Sequence, residues 1–98
     1  MERVTKKAVW NGQIIAESDY AKVSDSVTFF PEESVKREFL RPSSTSSTDS
    51  SKGQARFYSL WVDGIENPDA AWYYPDPKPA ARSLKYHIAF WRDVEIIG

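Results

Sequence analysis

Cysteine is absent from this chain of 98 residues, and histidine occurs only once. A chain without thiols forms no disulfide, no cysteine-based zinc or iron–sulfur site and no thiol nucleophile. Zinc bound through a single imidazole would need carboxylates for nearly every other ligand. We therefore expect neither a metal site nor a cofactor.

An excess of charge of one sign is also lacking, since 13 Lys and Arg stand against 14 Asp and Glu. Proteins that bind duplex nucleic acid carry a basic surface that this balance does not provide. No apolar run approaches the roughly 20 residues that span a membrane, and residues 1–13 lack the apolar core of a signal peptide. The sequence predicts a cytoplasmic protein without membrane or duplex nucleic-acid partners.

Glycine is scarce, and its four residues are scattered along the chain. A phosphate-binding loop needs clustered glycines, whose backbone amides can approach the anion. Residues 50–53 lack the first glycine of such a loop and have the lysine and glycine in reverse order. The Asp-x-Asp pattern typical of two-metal nucleotidyl transfer does not occur either.

Aromatic residues are abundant, with 4 Trp, 5 Tyr and 5 Phe making up 14% of the chain. Each ring can remove about 150 to 250 Å² from water, so these side chains can supply the core of a small protein. A chain of this length has room for one such core. We expect one domain over residues 1–98.

Two dipeptides, Asn11-Gly12 and Asp63-Gly64, are typical of type I′ hairpin turns. The first turn predicts that Trp10 pairs with Gln13 and that the residues before them pair in sequence, with Ala8 opposite Ile15 and Lys6 opposite Glu17. The second turn joins strands over 55–62 and 65–74, in which Pro68 requires a bulge or an edge position.

The other segments complete a mainly β fold with one or two short helices. We expect strands over 21–23, 27–30, 35–40, 87–91 and 94–97, and helical turns over 31–34 and 79–86. Residues 43–51 are almost wholly Ser and Thr, without an apolar anchor. Because such side chains compete for backbone hydrogen bonds, we expect a mobile loop there. The predicted fold class is therefore a small antiparallel sheet, which the last strands, 87–91 and 94–97, complete.

Three adjacent rings, Trp72-Tyr73-Tyr74, precede the proline-stiffened segment 75–79. Alternation places Trp72 and Tyr74 on one face of a strand and Tyr73 on the other, so the three rings cannot share one core. At least one of these rings should then reach solvent or a cleft. The alternative is that the rest of the chain covers both faces of the sheet and that the tyrosine hydroxyls make ordinary hydrogen bonds.

The hypothesis we favour is a small-molecule binding module with an aromatic and lysine-lined cleft, rather than an enzyme. Rings would stack on a flat ligand while cationic side chains orient an anionic or polar group. The candidate ligand-binding residues are Arg37, Lys52, Tyr58, Trp72, Tyr74, Lys78 and His87.

Two other classes of function stay open. A transferase or hydrolase could use His87 as general base and Lys52 as electrostatic stabiliser, although a histidine after a helical turn can also be purely structural. A structural or interaction protein could expose an aromatic edge to a partner or to its own copy in a homodimer.

Several segments taken together resemble the domain of unknown function 427 family. They are Lys-Ala-Val-Trp-Asn-Gly at 7–12, Glu33, the stretches at 37–43 and 52–58, Asp-Ala-Ala-Trp-Tyr-Tyr-Pro at 69–75, Lys-Pro-Ala-Ala at 78–81 and His-Ile-Ala-Phe-Trp at 87–91. The resemblance implies a mostly β domain related to the Mss4-like β-tent architecture. It also brings a nucleotidyltransferase-like label, without an established activity.

One segment departs from the family's pattern. Members usually carry Cys-Pro-Trp directly before the Lys-Gly pair, whereas this chain has Asp49-Ser50-Ser51. Any redox, metal-binding or stacking role of that cysteine or tryptophan is therefore missing here.

Overall fold

The computed structural model describes residues 4–98, and this part of the chain contains nine strands and three segments of 3₁₀ helix. The strands are β1 Lys6–Trp10, β2 Gln13–Ser18, β3 Lys22–Ser24, β4 Val27–Pro31, β5 Leu40–Asp49, β6 Gly53–Val62, β7 Ile65–Tyr73, β8 His87–Phe90 and β9 Glu95–Ile97. The 3₁₀ segments are Glu32–Ser34, Arg37–Phe39 and Pro79–Leu84. None of these helical segments is long and apolar enough to cross a bilayer.

The strands form two antiparallel sheets. The smaller has the order β2-β1-β9, and the larger has the order β3-β4-β8-β7-β6-β5. The mainly β, antiparallel class predicted from the sequence is confirmed. The last strand differs from expectation, because β9 pairs with β1 in the smaller sheet and does not extend the sheet that contains β8.

The first hairpin has the predicted turn, with positive φ at both Asn11 and Gly12. Trp10 pairs with Gln13 as expected, but a bulge between Ala8 and Val9 places Ala8 opposite Ala16. The predicted pairs of Ala8 with Ile15 and of Lys6 with Glu17 are therefore wrong, each by one residue. The bulge allows two consecutive residues of β2, Ile15 and Ala16, to be fully buried.

The central hairpin is confirmed, together with the predicted irregularity near Pro68. The β6–β7 register shifts between Tyr58, which pairs with Ala71, and Leu60, which pairs with Asn67. Asp69 lies inside this bulge with a φ of 53°, a conformation that Asp tolerates better than most residues. The two extra residues on β7 bring Phe57 opposite Trp72, which a regular hairpin would not do.

Residues 43–51, which the sequence analysis expects as a mobile loop, lie mostly in strand β5 at the edge of the larger sheet. An edge strand with an exposed outer side needs no apolar anchor, because its backbone pairs with β6. Its hydroxyls also find a partner, since those of Ser43 and Thr45 donate to the Asp69 carboxylate. Because these hydroxyls are bonded to Asp69, the tendency of Ser and Thr side chains to favour a loop is offset.

Two helical expectations also need correction. The predicted strand over 35–40 is wrong, because Arg37–Phe39 is a 3₁₀ turn that lets both Val35 and Leu40 reach the core. The expected helix over 79–86 is shorter and of the 3₁₀ type, ending at Leu84. The helical turn expected over 31–34 is confirmed by the 3₁₀ segment Glu32–Ser34.

Both faces of the larger sheet carry buried side chains. Consecutive β4 residues, Phe29 and Phe30, point to opposite sides, and both are almost completely buried. Phe30 belongs to a cluster that also contains Ile15 of the smaller sheet and Leu60 of β6, so this cluster joins the two sheets. Phe29 belongs to a second cluster, under the 3₁₀ segment that carries Leu84.

Candidate functional site

An open cavity of about 250 Å³ lies on the face of the larger sheet that carries Phe29. Four aromatic side chains, Phe57, Trp72, Tyr74 and Trp91, line it, and residues 47–49 of β5 form a polar rim. We call this the aromatic pocket. Alternation along β6 and β7 directs Phe57, Trp72 and Tyr74 to the same face, and pairing of Phe57 with Trp72 places their rings side by side.

The rings of the aromatic pocket brace one another. The centroids of Trp72 and Trp91 are 5.9 Å apart and their planes meet at 78°, whereas Phe57 lies 6.5 Å from Trp72 at 40°. The buried Phe29 contacts both Trp72 and Tyr74 at centroid distances of 6.3 Å. Such edge-to-face and tilted contacts hold the rings in defined orientations.

Trp91 is 45% exposed, yet its orientation is held by several contacts. Its indole Nε1–H donates to the Asp69 carbonyl at 2.5 Å, and its backbone N–H donates to the Ala70 carbonyl at 2.9 Å. The Arg92 guanidinium lies 4.5 Å from the centroid of the indole, a cation–π contact. A hydrogen-bonded and partly exposed indole is thus one wall of the pocket.

Asp49 supplies the charged group of the polar rim. Its Oδ1 accepts hydrogen bonds from the Ser51 hydroxyl at 2.7 Å, the Ser51 amide at 2.8 Å and the Lys52 amide at 3.1 Å. The bonds from Ser51 are the main cause of a pKa below the usual value for this carboxyl, so Asp49 is ionised at neutral pH. Among residues 4–98, its Oδ2 has no hydrogen-bond partner.

The two lysines expected to bind a ligand instead hold the turn between β5 and β6. The Lys52 ammonium donates to Asp25 at 2.5 Å, and its side chain is only 13% exposed. This hydrogen bond raises the pKa of Lys52 above its ordinary value. The Lys78 ammonium donates to the Ser50 carbonyl at 2.7 Å, while its amide donates to the Lys52 carbonyl at 2.9 Å. Neither lysine lines the aromatic pocket.

Tyr58 and Arg37 lie on the opposite side of the larger sheet. The Tyr58 ring stacks on Tyr73 at 5.1 Å and packs against the core cluster that contains Leu60. Burial raises the pKa of Tyr58, and the Arg37 guanidinium is close enough to act on it in the opposite direction. The expected division of Trp72 and Tyr74 from Tyr73 is confirmed, so the sheet separates Tyr58 and Arg37 from the aromatic pocket.

His87 lines a different cavity, of about 550 Å³, together with Glu32, Lys85 and Tyr86 among others. Its Nδ1 is 2.8 Å from the Lys85 carbonyl, which can only accept a hydrogen bond, so Nδ1 carries the proton and Nε2 is left as an acceptor in the neutral ring. Lys52 does not line this cavity. The structure therefore does not bring the proposed base and its proposed electrostatic partner into one site.

Sequence reasoning found Trp72 and Tyr74 of the aromatic pocket but missed Phe57, Trp91 and Asp49. Phe57 is paired with Trp72 only because of the two-residue bulge in β7, whose length the sequence does not reveal. Asp49 lies in a segment that the sequence predicts to be a loop, and the position of Trp91 depends on a tertiary hydrogen bond. The Asp49-Ser50-Ser51-Lys52 turn was the one available signal, since Asp commonly accepts bonds from amides two or three residues later.

Within the described range, no three His, Asp or Glu side chains come together in a way that could hold a metal ion. No curated protein matches the chain. A family profile described as "Domain of unknown function (DUF427)" matches residues 2–97. The chain therefore belongs to the DUF427 family.

Proposed function

We propose that this protein is a small-molecule binding module and that the aromatic pocket is its binding site. The observation that carries the proposal is the grouping of four aromatic side chains around one cavity, beside an ionised carboxylate. Ligand sites are typically concave and mostly apolar, with a few polar groups that orient the ligand. The aromatic pocket has this composition.

The size of the pocket limits the ligand. Small-molecule sites usually measure about 300 to 1,000 Å³, and the aromatic pocket, at about 250 Å³, lies just below this range. It fits a small molecule or the end group of a larger one. A ligand seated there would cover the exposed part of Trp91 and the half-buried Trp72, which gives an apolar contribution to binding.

The enzymatic alternative has less support. It needs His87 and Lys52 in one concavity, whereas Lys52 is bonded to Asp25 and does not line the cavity of His87. The pocket also differs from the lysine-lined cleft that the sequence predicts, because Asp49 lies on its rim and neither Lys52 nor Lys78 lines it.

The proposal is tested by nuclear magnetic resonance, following the indole N–H signals of the four tryptophans. Nucleotides, sugars, aromatic acids and organic ammonium compounds are added one at a time. We expect at least one compound to shift the signals of Trp72 and Trp91 in a saturable way. The signal of Trp61, which does not line the pocket, should stay in place.

Two matched variants provide the control, because Trp61 and Trp91 are exposed to similar extents, 40% and 45%. Trp91→Leu should weaken binding about tenfold or more, as expected for a large ring at the centre of a binding site. Trp61→Leu should leave the affinity unchanged. The proposal fails if no compound in the panel shifts these signals, or if both variants bind as well as the parent protein.

A further inference from the structure

We propose that the aromatic pocket binds an organic ammonium cation, and preferentially one whose nitrogen is methylated. This inference rests on the proposed function and specifies its ligand. The nitrogen would lie in the corner between Trp72 and Trp91, next to Asp49.

The arrangement of the two indoles favours a cation. Their planes meet at 78° with centroids 5.9 Å apart, in an edge-to-face contact, and both rings line the cavity on either side of the corner that they form. Aromatic faces are electron-rich and attract a cation within about 6 Å of the ring centroid, most strongly for Trp. The tilted ring of Phe57 extends this wall on the side of Trp72. Three neighbouring rings thus form an incomplete aromatic cage.

A cationic side chain already uses one of these rings. The Arg92 guanidinium lies 4.5 Å from the centroid of Trp91. Arg92 does not line the pocket, so the guanidinium occupies a different part of the surface of this ring from the cavity. A cationic ligand would therefore use the part of the Trp91 ring that faces the cavity and that Arg92 leaves open.

The charges around the pocket also favour a positively charged ligand. Asp49 is ionised, and its Oδ2 has no hydrogen-bond partner among residues 4–98. The two lysines beside this turn are bonded elsewhere, Lys52 to Asp25 and Lys78 to the Ser50 carbonyl, although Lys52 also acts electrostatically on Asp49. None of Lys52, Lys78 and Arg92 lines the pocket. A cationic ligand would meet a carboxylate at the rim, whereas an anionic ligand would meet like charge.

Methylation of the ammonium group follows from the position of the hydrogen-bond acceptors, which lie on one side of the pocket, in the polar rim of residues 47–49, while the other lining residues are apolar or aromatic. Ring faces accept hydrogen bonds only weakly, so a primary ammonium would leave N–H groups without the partners that water provides. A quaternary ammonium has no N–H groups and loses no such bonds. This head group occurs both in free molecules of the choline type and in the side chain of a trimethylated lysine, and the aromatic pocket recognises the chemistry that they share.

The first experiment compares choline with 3,3-dimethylbutan-1-ol, which has the same shape but carries no charge. Both are titrated into the protein while the indole signals of Trp72 and Trp91 are followed. We expect choline to bind about fivefold or more tightly than its neutral analogue, within the range of cation–π interactions. Equal or tighter binding of the alcohol would overturn the inference.

A second experiment removes the charge of Asp49 while keeping its shape. Asp49→Asn retains an oxygen that can accept the amide bonds of the turn. We expect it to weaken choline binding several-fold and to leave the affinity for the alcohol unchanged. Asp63→Asn, in the β6–β7 turn at the other end of the hairpin, alters the net charge equally and should change neither affinity. An unchanged choline affinity in Asp49→Asn would contradict the assigned role of the carboxylate.

A third arm separates the two sources of the head group. A short peptide with one trimethyl-lysine is compared with choline and with the same peptide carrying unmodified lysine. Tighter binding of the methylated peptide supports the inference with a peptide source, and tighter binding of choline supports it with a free molecule as the source. If another class from the ligand panel binds while choline and the peptide do not, the inference fails and the proposed function stands. If nothing binds, both fail.

Discussion

Asp69 connects two sides of the aromatic pocket without lining it. Its carboxylate accepts hydrogen bonds from the hydroxyls of Ser43 at 2.5 Å and Thr45 at 2.8 Å, which hold β5 in place. Its carbonyl accepts the bond from the Trp91 indole. Since β5 carries the polar rim and Trp91 is a wall, Asp69 is a positioning residue for both. Because the backbone of Asp69 has a positive φ, its carboxylate and its carbonyl face different neighbours, β5 and Trp91 respectively.

Substitution of Asp69 separates the role of its carboxylate from that of its backbone. Asp69→Gly removes the carboxylate but keeps access to positive φ, whereas Asp69→Ala also strains the backbone. We expect both to be less stable than the parent protein, with Ala lower than Gly by about 1 kcal/mol. Urea denaturation provides the measurement. Equal stability of the two variants would contradict a conformational requirement at this position.

The same residue predicts a pH dependence. Hydrogen bonds from Ser43 and Thr45 lower the pKa of Asp69 below its value in the unfolded chain. The resulting stability is present above the unfolded pKa, about 3.9, and is lost as the pH falls through the lower folded pKa. The difference in stability between the parent protein and Asp69→Gly should therefore shrink as the pH is lowered below about 4. A difference that stays constant would mean that the charge of this group contributes nothing.

At the scale of elements, the turn between β5 and β6 positions the rim of the pocket. Asp49 caps this turn, Lys52 joins it to Asp25, and Lys78 joins it to the segment that follows β7. Gly53 at its end has a φ of 109°, and a Cβ there would lie 3.2 Å from the Asp76 carbonyl. The backbone of two segments therefore meets at a position that only glycine fits without strain.

Gly53→Ala tests this close approach, and Gly12→Ala is its matched control. Gly12 also has positive φ, but a Cβ there would meet nothing within 4 Å. Both substitutions carry the cost of a left-handed backbone, about 1 kcal/mol, and only Gly53→Ala adds a contact that must be relieved. We expect Gly53→Ala to lower the free energy of unfolding by at least about 1 kcal/mol more than Gly12→Ala. Equal losses of stability in the two variants would show that the segments that carry Gly53 and Asp76 move apart easily.

The two hairpins show how far element-level reasoning from sequence extends. Asn11-Gly12 and Asp63-Gly64 determine the turns, because Asn, Asp and Gly readily accept the positive φ that a type I′ turn requires at both positions. Bulges then shift the register by one residue in the first hairpin and by two in the second. A bulge depends on which side chains the completed core can accept, and this is not encoded within one strand.

At the scale of the whole molecule, one buried cluster joins the two sheets. Ile15 of β2 is fully buried in the cluster that contains Phe30 and Leu60 of the larger sheet. The aromatic pocket lies against the other cluster, around Phe29 and Tyr74. Stability that arises from the joining of the sheets is therefore located away from the candidate binding site.

Ile15→Ala should lower the free energy of unfolding by about 2 to 4 kcal/mol, because it leaves a cavity where the sheets meet. Ile14→Ala, at the adjacent and only half-buried position, should cost less than about half as much. Folded Ile15→Ala should keep the parent's indole signals for Trp72, which packs against the other cluster, and for Trp91, whose ring contacts Trp72. Chemical denaturation and the indole spectrum provide the two measurements, and displaced Trp72 and Trp91 signals would contradict the separation of the clusters.

The sequence by itself determined the mainly β class, both I′ turns, the irregularity at Pro68 and the division of Trp72 from Tyr73, because each follows from local conformational preference or from alternation along a strand. It also contained enough of the family pattern for the DUF427 assignment. Only the tertiary structure decided that residues 40–49 are a strand, that Lys52 and Lys78 hold a turn, and that Trp91 completes a pocket. Each of these depends on partners distant in the chain, such as Asp25 or Asp69, whose proximity is created by folding.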